Sequence, residues 1–347
     1  MMETNKLLLI CHLTDSKCNG QVAKTTDTYH FLIENGYDVT ILNYGKLNIF
    51  QKIFLSRKMI KRFDKIVLMP GGKKALFYYS NLIYKYKKSN AHYVAIGGWV
   101  LSLLNDKRNE KYFNKLKSFK GIYLQNKRTQ LSFSEKGFKN AFFVSNFSSK
   151  TPLTDFEQEL KIKSYDDVQE YRFCFFARVE RTKGVLLACD AIKRLKNRYA
   201  DKKIVLDIYG EIKDPTLKVE LEELTKANTF INFKSVLSGE KVIQTLSNYY
   251  CMLFPTFYKG EGTPHSIMES FMAGLPIIAS NWAYNSEIVD NYQTGLIFEL
   301  NTNELFEKLE WAINNSSEIK KYSINCFEKA KEFNKEKSLK PLLDNLR

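Results

Sequence analysis

No apolar run in the 347 residues approaches the roughly 18 to 20 needed to cross a bilayer, which excludes an integral membrane protein. Proline (7) and glycine (16) are too sparse for a collagen-like or linker-dominated chain. The six cysteines (Cys11, Cys18, Cys174, Cys189, Cys251 and Cys326) include no Cys-x-x-Cys pair. The four histidines (His12, His30, His92 and His265) show no His-x-x-x-His spacing. Buried free thiols and no metal site are therefore expected. Neither a Gly-x-Gly-x-x-Gly fingerprint nor a P-loop is found, which removes the usual dinucleotide and P-loop NTPase readings. The segment Met1–Leu13 has no basic leader, long apolar stretch or small-residue cleavage site, so a cytoplasmic location is expected.

What remains is an ordinary globular composition, 44% hydrophobic and 26% charged, with length enough for two cores. The net charge of +15 is unevenly placed. Residues 1–150 carry 26 lysines and arginines against 9 acids, or +17, whereas residues 151–347 carry 27 against 29. Such asymmetry suggests that the first half faces an anionic surface. Residues Ile49 to Phe63 put apolar positions 49, 50, 53, 54, 60 and 63 near one helical side, with Lys52, Arg57, Lys58, Lys61 and Arg62 largely away from it. A second basic and aromatic segment runs from Lys73 to Lys88. Basic amphipathic helices with aromatic anchors bind anionic membranes, and the expected partner is an anionic membrane surface. The plainer reading packs the apolar sides on a sheet and leaves the lysines solvated. Nucleic acid is not expected, because no recognition module accompanies the charge.

Apolar runs of strand length recur at Leu7–Cys11, Val39–Leu42, Lys65–Met69, Tyr93–Ile96, Gly121–Leu124 and Ala141–Val144, with helical spacing between most of them. After a polar segment the pattern restarts at Tyr171–Ala177, Ile204–Tyr209, Phe230–Phe233, Tyr250–Phe254, Pro276–Ala279 and Leu296–Phe298. This alternation predicts an α/β protein of two doubly wound parallel domains, 1–150 and 171–323, joined by a linker at 151–170 whose acidic end has room for a short helix. Ligands of such sheets bind beyond the carboxyl ends of the strands, so an interdomain cleft is the expected site.

The most informative segment runs from Phe254 to Ser280. An apolar strand enters a glycine-containing loop and then a helix, for which Thr263 is the expected N-cap, Pro264 the first residue and Gly274 the exit. The free amides of that helix start would hold a phosphate, with Gly262 permitting close backbone approach. Glu261 and Glu269, eight positions apart, suit hydroxyl groups of a ribose and a sugar rather than phosphate. At the end of the first strand of the second half stand Arg178 and Lys183, beside a helix entrance marked by Gly184. Two fixed cations there would clamp a diphosphate and stabilise it as it leaves. Arg181 is a weaker candidate. Gly210, at another strand exit, is added to the donor side.

These residues, together with Ala273 to Ser280, Ser286 to Val289 and Thr294 to Leu296, resemble the retaining GT-B glycosyltransferases of family 4, of the surface-polysaccharide type. The resemblance covers the C-terminal half closely. It reaches more weakly to Gly20, to the turn Asn35–Val39, and to Phe143–Asn146. It implies a GT-B fold and transfer of a sugar from a nucleotide diphosphate sugar, expected to be a UDP-sugar, to a carbohydrate or lipid-linked acceptor. Retention at the anomeric carbon and the absence of a separate cofactor are also implied. The chain has no Asp-x-Asp triplet, the metal signature of the other major glycosyltransferase fold, in keeping with a metal-independent reaction. Arg178 and Lys183 would contact the diphosphate, Glu261 the transferred sugar and Glu269 the ribose. Gly262, Thr263 and Pro264 would line the donor site. The N-terminal domain would bind the acceptor, with Gly20, Gly97 and Gly98 on that side. Many members carry a histidine where this chain has Gly97-Gly98-Trp99. Residues 324–347 would return to the N-terminal domain. The setting implied is capsule, exopolysaccharide or lipopolysaccharide synthesis at the inner membrane face. The alternatives are a nucleotide-sugar epimerase of the same fold and a non-catalytic basic protein that binds membrane or nucleic acid.

Overall fold

The computed structural model describes residues 5–14 and 20–347. Cys18 lies outside them; the other five cysteines are buried and free. The chain divides into one unit made of residues up to Phe147 together with Asn334–Arg347, and a second made of Ser148–Phe333.

The first unit alternates strands and helices: β1 (Lys6–Cys11), α1 (Gly20–Glu34), β2 (Asp38–Asn43), α2 (Ile49–Arg62), β3 (Lys65–Met69) and α3 (Lys73–Lys85). There follow β4 (Ala91–Val94), α4 (Trp99–Asn105), α5 (Glu110–Leu116), β5 (Gly121–Leu124), α6 (Lys127–Glu135) and β6 (Ala141–Phe143). All six strands are parallel, in the order β2-β1-β3-β4-β5-β6. Side chains alternate across the sheet, so continuous apolar strands feed two cores. Leu8, Ile10, Ile66, Leu68 and Tyr93 pack with Ile60, Leu76 and Tyr79 of α2 and α3. On the opposite side Leu7, Leu9, Val67, Met69 and Val94 pack with Phe31 and Leu32 of α1.

The second unit begins with α7 (Asp155–Lys163) and β7 (Tyr171–Phe176), then α8 (Val185–Arg198), β8 (Ile204–Tyr209), α9 (Pro215–Ala227) and β9 (Ile231–Ser235). It continues through α10 (Lys241–Leu246), β10 (Cys251–Phe254), α11 (His265–Met272), β11 (Ile277–Ser280), α12 (Asn285–Ile288), β12 (Gly295–Phe298), α13 (Thr302–Asn314) and α14 (Ser316–Ala330). Its sheet is also parallel, in the order β12-β11-β10-β7-β8-β9. The strand order reverses direction between β10 and β7, the switch point at which such sheets bind ligands.

Three boundaries differ from the sequence reading. The polar segment 151–170 is not only a linker, for α7 folds within it, started by a capping box in which Thr154 and Glu157 satisfy each other's amides. The second unit accordingly starts at Ser148. The closing segment 324–347 is not one helix. Its first part belongs to α14, and a final helix, α15 (Lys335–Leu346), starts where Asn334 accepts the amide of Lys337. Only α15 belongs to the first unit, where Leu339, Leu342 and Leu346 complete the core beside α1.

Candidate functional site

Loops at the carboxyl ends of β7 and β10 are stitched together. The Phe257 amide donates to Thr182 O at 2.8 Å. Gly184 has φ +77°, and a Cβ there would stand 2.1 Å from Pro255 O, so only glycine lets the loop after β7 lie against the strand-exit backbone of β10. Close approach of the two backbones brings their side chains together.

Lys183 Nζ donates to Glu261 Oε2 at 2.6 Å, and both side chains are buried. Thr256 Oγ1 donates to the same carboxylate oxygen at 2.8 Å. Tyr258 connects this pair to the other cation: the Lys183 ammonium lies 4.7 Å from its ring centre and the Arg178 guanidinium 5.4 Å from it. Arg178 is exposed and paired with Glu180. Tyr258 is in turn held through its carbonyl by Trp282 Nε1 at 2.9 Å. The structure thus brings Arg178 and Lys183 to one aromatic ring, with Glu261 held by the Lys183 ammonium. Arg181 is turned to Glu220 and Asp214.

Glu269, on α11, is buried, and Lys150 stands 3.8 Å from its Oε1. Burial pushes its carboxyl up to about 7, partly offset by the Lys150 charge. The helix begins one residue later than expected. Pro264 has an extended ψ of 137° and is itself the N-cap, so Thr263 is not, and His265 is the first helical residue. Gly262 and Thr263 are buried and Pro264 is half-buried. A Cβ on Gly210 would meet Ala177 O at 1.8 Å, so this glycine lets the exit of β8 lie against that of β7, one residue before Arg178.

In the first unit, Gly20 opens α1, the Gly97 amide donates to Gln125 Oε1 at 3.1 Å, and Gly98 caps α4. Both His92 nitrogens are occupied, by Tyr123 Oη at 3.0 Å and Asn90 Oδ1 at 2.9 Å, and burial drives its pKa down to about 3. It is a core histidine.

The apolar side expected over residues 49–63 is split. Ile60 and Phe63 are buried, whereas Ile49, Phe50 and Phe54 are 73%, 75% and 69% exposed. Arg57, Lys58, Lys61 and Arg62 are exposed on the same helix. Among the described residues no helix is long and apolar enough to cross a membrane.

Residues missed by the sequence reading are Thr256, Tyr258 and Lys150. None stands at a telling spacing; each matters through a contact that loop packing creates.

The family description "Glycosyl transferases group 1" matches residues 156–333, just over half of the chain, and the protein belongs to that family. No curated protein matches it in sequence. Among solved structures, Alr3699/HepE of Anabaena, in complex with UDP and glucose, aligns over 98% of both chains with a TM-score of 0.72 and 13% identity. A glycosyltransferase of Rickettsia africae covers 98% of this chain and 97% of its own, with a TM-score of 0.72 and 17% identity. WaaG, a glycosyltransferase involved in lipopolysaccharide biosynthesis, covers 97% of this chain and 98% of its own, with a TM-score of 0.67 and 13% identity. The fold is GT-B, and the protein is a glycosyltransferase.

Proposed function

We propose that this enzyme transfers a sugar from a nucleotide diphosphate sugar to a carbohydrate or lipid-linked acceptor, with retention at the anomeric carbon and without a metal. The observation that carries the proposal is the buried Lys183–Glu261 pair, linked through Tyr258 to Arg178 at adjacent strand exits. An ammonium has three donors, so Lys183 can keep Glu261 and still reach phosphate oxygens. Arg178 adds a planar fork suited to the same diphosphate. Together they stabilise the charge that grows on the leaving nucleotide as the anomeric C–O bond breaks. The leaving phosphate takes the proton of the acceptor hydroxyl while the new C–O bond forms on the same face. Glu261 would orient the transferred sugar, Glu269 the ribose, and the amides near Gly262 and Thr263 would add phosphate contacts. HepE of Anabaena has been solved with UDP-glucose, and TarM of S. aureus with UDP, which supports a UDP-sugar donor.

The first unit would hold the acceptor and rest on an anionic membrane through α2, at the cytoplasmic face, in surface-polysaccharide synthesis. Exposed Ile49, Phe50 and Phe54 beside four exposed cations support this over a solvated lysine surface. The test is a screen of UDP-, GDP- and ADP-sugars for thermal stabilisation, followed by nucleotide release with an acceptor panel. One sugar nucleotide should stabilise the protein, and Lys183→Ala should reduce release by orders of magnitude. Equal release by that variant overturns the proposal, and free epimerised sugar without transfer makes the enzyme an epimerase instead.

A further inference from the structure

β1 lies between β2 and β3, so their three carboxyl ends are neighbours. His12 is the first residue past β1, Tyr44 and Gly45 follow β2, and Gly71 lies two residues past β3. These exits are tied to one another. Asn43 Oδ1 accepts the Leu13 amide at 3.1 Å and the Gly45 amide at 3.1 Å, while its Nδ2 donates to Leu13 O at 2.9 Å. Gln21 of α1 donates to His12 O at 3.4 Å, and the Gly71 amide donates to Tyr44 Oη at 2.7 Å.

The imidazole of His12 stacks on Tyr44, with ring centres 5.5 Å apart and planes at 24°. Two glycines complete its slot. A Cβ on Gly45 would stand 2.1 Å from His12 Cδ2 and 2.6 Å from Nε2, and one on Gly71 would stand 3.2 Å from Nδ1. The backbone on both sides of the ring and the ring's stacking plane are therefore fixed. Yet neither ring nitrogen has a hydrogen-bond partner among the described residues, in contrast to both nitrogens of His92. His12 and Tyr44 are half-buried, so the ring is both held and reachable. A side chain so positioned, with its polar atoms unused, at the sheet end where α/β folds bind ligands, is arranged for a ligand rather than for the core.

We propose that His12 is an acceptor-binding residue whose ring nitrogens hydrogen-bond a hydroxyl of a carbohydrate acceptor. A neutral imidazole offers one donor and one acceptor, which matches a hydroxyl group that does both. The inference rests on the glycosyltransferase reading, in which the first unit receives the acceptor.

The test uses the full chain labelled at histidine with 13C and 15N, and octyl glycosides of glucose, galactose and N-acetylglucosamine as probes. The His12 ring signal, assigned by its loss in His12→Gln, should shift on addition of at least one glycoside and stay in place on addition of UDP. With the UDP-sugar found by the donor screen, His12→Ala should raise the KM for that glycoside by about tenfold or more. UDP affinity should remain within about twofold of the parent. His12→Gln, which restores a donor and an acceptor, should recover most of the loss. If no glycoside moves the His12 signal, or His12→Ala leaves the glycoside KM unchanged, the inference is overturned while UDP binding continues to uphold the glycosyltransferase reading. Failure of the parent protein to bind any sugar nucleotide overturns that reading, and the inference falls with it.

Discussion

The Lys183 ammonium and the Glu261 carboxylate meet at 2.6 Å in a buried position, with Thr256 donating to the same oxygen. Breaking one side of a buried ion pair leaves an uncompensated charge, at a cost of about 3–5 kcal/mol. Lys183→Ala should therefore lower the melting temperature as well as turnover. In Lys183→Met with Glu261→Gln both charges are gone, and melting should move back toward the parent value while nucleotide release stays low. Thermal melts and release assays on the three proteins separate the structural role from the chemical one. Recovery of turnover in the double variant would contradict the assignment.

Gly184 is the position at which the two loops depend on the absence of a side chain. Its left-handed backbone and the 2.1 Å approach of a Cβ to Pro255 O mean that alanine must push the loops apart. Gly184→Ala should lose more than about 1 kcal/mol of stability and weaken UDP binding together, because Lys183 is its neighbour. Calorimetric titration with UDP alongside melting curves checks this. Unchanged UDP affinity would show that the loop contact does not position the site.

Two buried groups, Glu269 of the second unit and Lys24 of the first, respond to pH in opposite senses. Glu269 titrates in the fold near 7 rather than at its ordinary 4.5, so the folded state binds more protons between these values and stability falls as pH rises through that window. Glu269→Gln should remove the decline and, at pH 8, be more stable than the parent by an amount on the order of 3 kcal/mol. Lys24, buried in α1 with its ammonium 3.5 Å from Ala95 O, is lowered by burial from 10.5 to about 7. There the unfolded chain binds more protons, so stability of the first unit should rise from pH 7 toward 10.5, and Lys24→Met should abolish that rise. Melting curves of parent and variants across pH 5 to 10 check both; a pH profile left unchanged by either substitution contradicts that group's assignment.

The exposed apolar residues of α2 make the membrane proposal separable from folding. Phe50→Ser with Phe54→Ser should leave the melting temperature within about 1 °C, since both rings are solvent-exposed. Sedimentation with vesicles containing phosphatidylglycerol should then fall steeply, and binding by the parent should weaken with salt. Parent-like sedimentation by the double variant would remove α2 from the proposed contact.

Much of the fold is legible in the sequence because strands buried on both faces read as continuous apolar runs, such as Leu7–Cys11 and Ile277–Ser280. That Arg178, Lys183 and Glu261 lie near one another is legible for a related reason, since strand exits and glycine-marked helix entrances leave local signals. Tyr258 and Lys150 left none, because each acquires its partner only when separate segments meet, and Thr256 left none because its bond to Glu261 depends on how a single loop folds back on itself. Pro264 misled the helix start: its fixed φ fits a first helical residue, but its extended ψ makes it the cap. The helix within the polar segment did announce itself through Thr154 and Glu157, the fourth and seventh residues of what reads as a linker. Asn334 likewise marks the start of α15, although a long amphipathic pattern ran through it.

The last helix has a temporal consequence. Leu339, Leu342 and Leu346 fill a core otherwise built by residues before Phe147, and Ser338 Oγ meets Ser145 Oγ at 2.7 Å. During synthesis the amino-terminal unit must therefore wait, one core uncovered, while the whole of residues 148–333 is made. That intervening unit is continuous in sequence, so its own core needs nothing made after Phe333, whereas the earlier one depends on the last residues to be added.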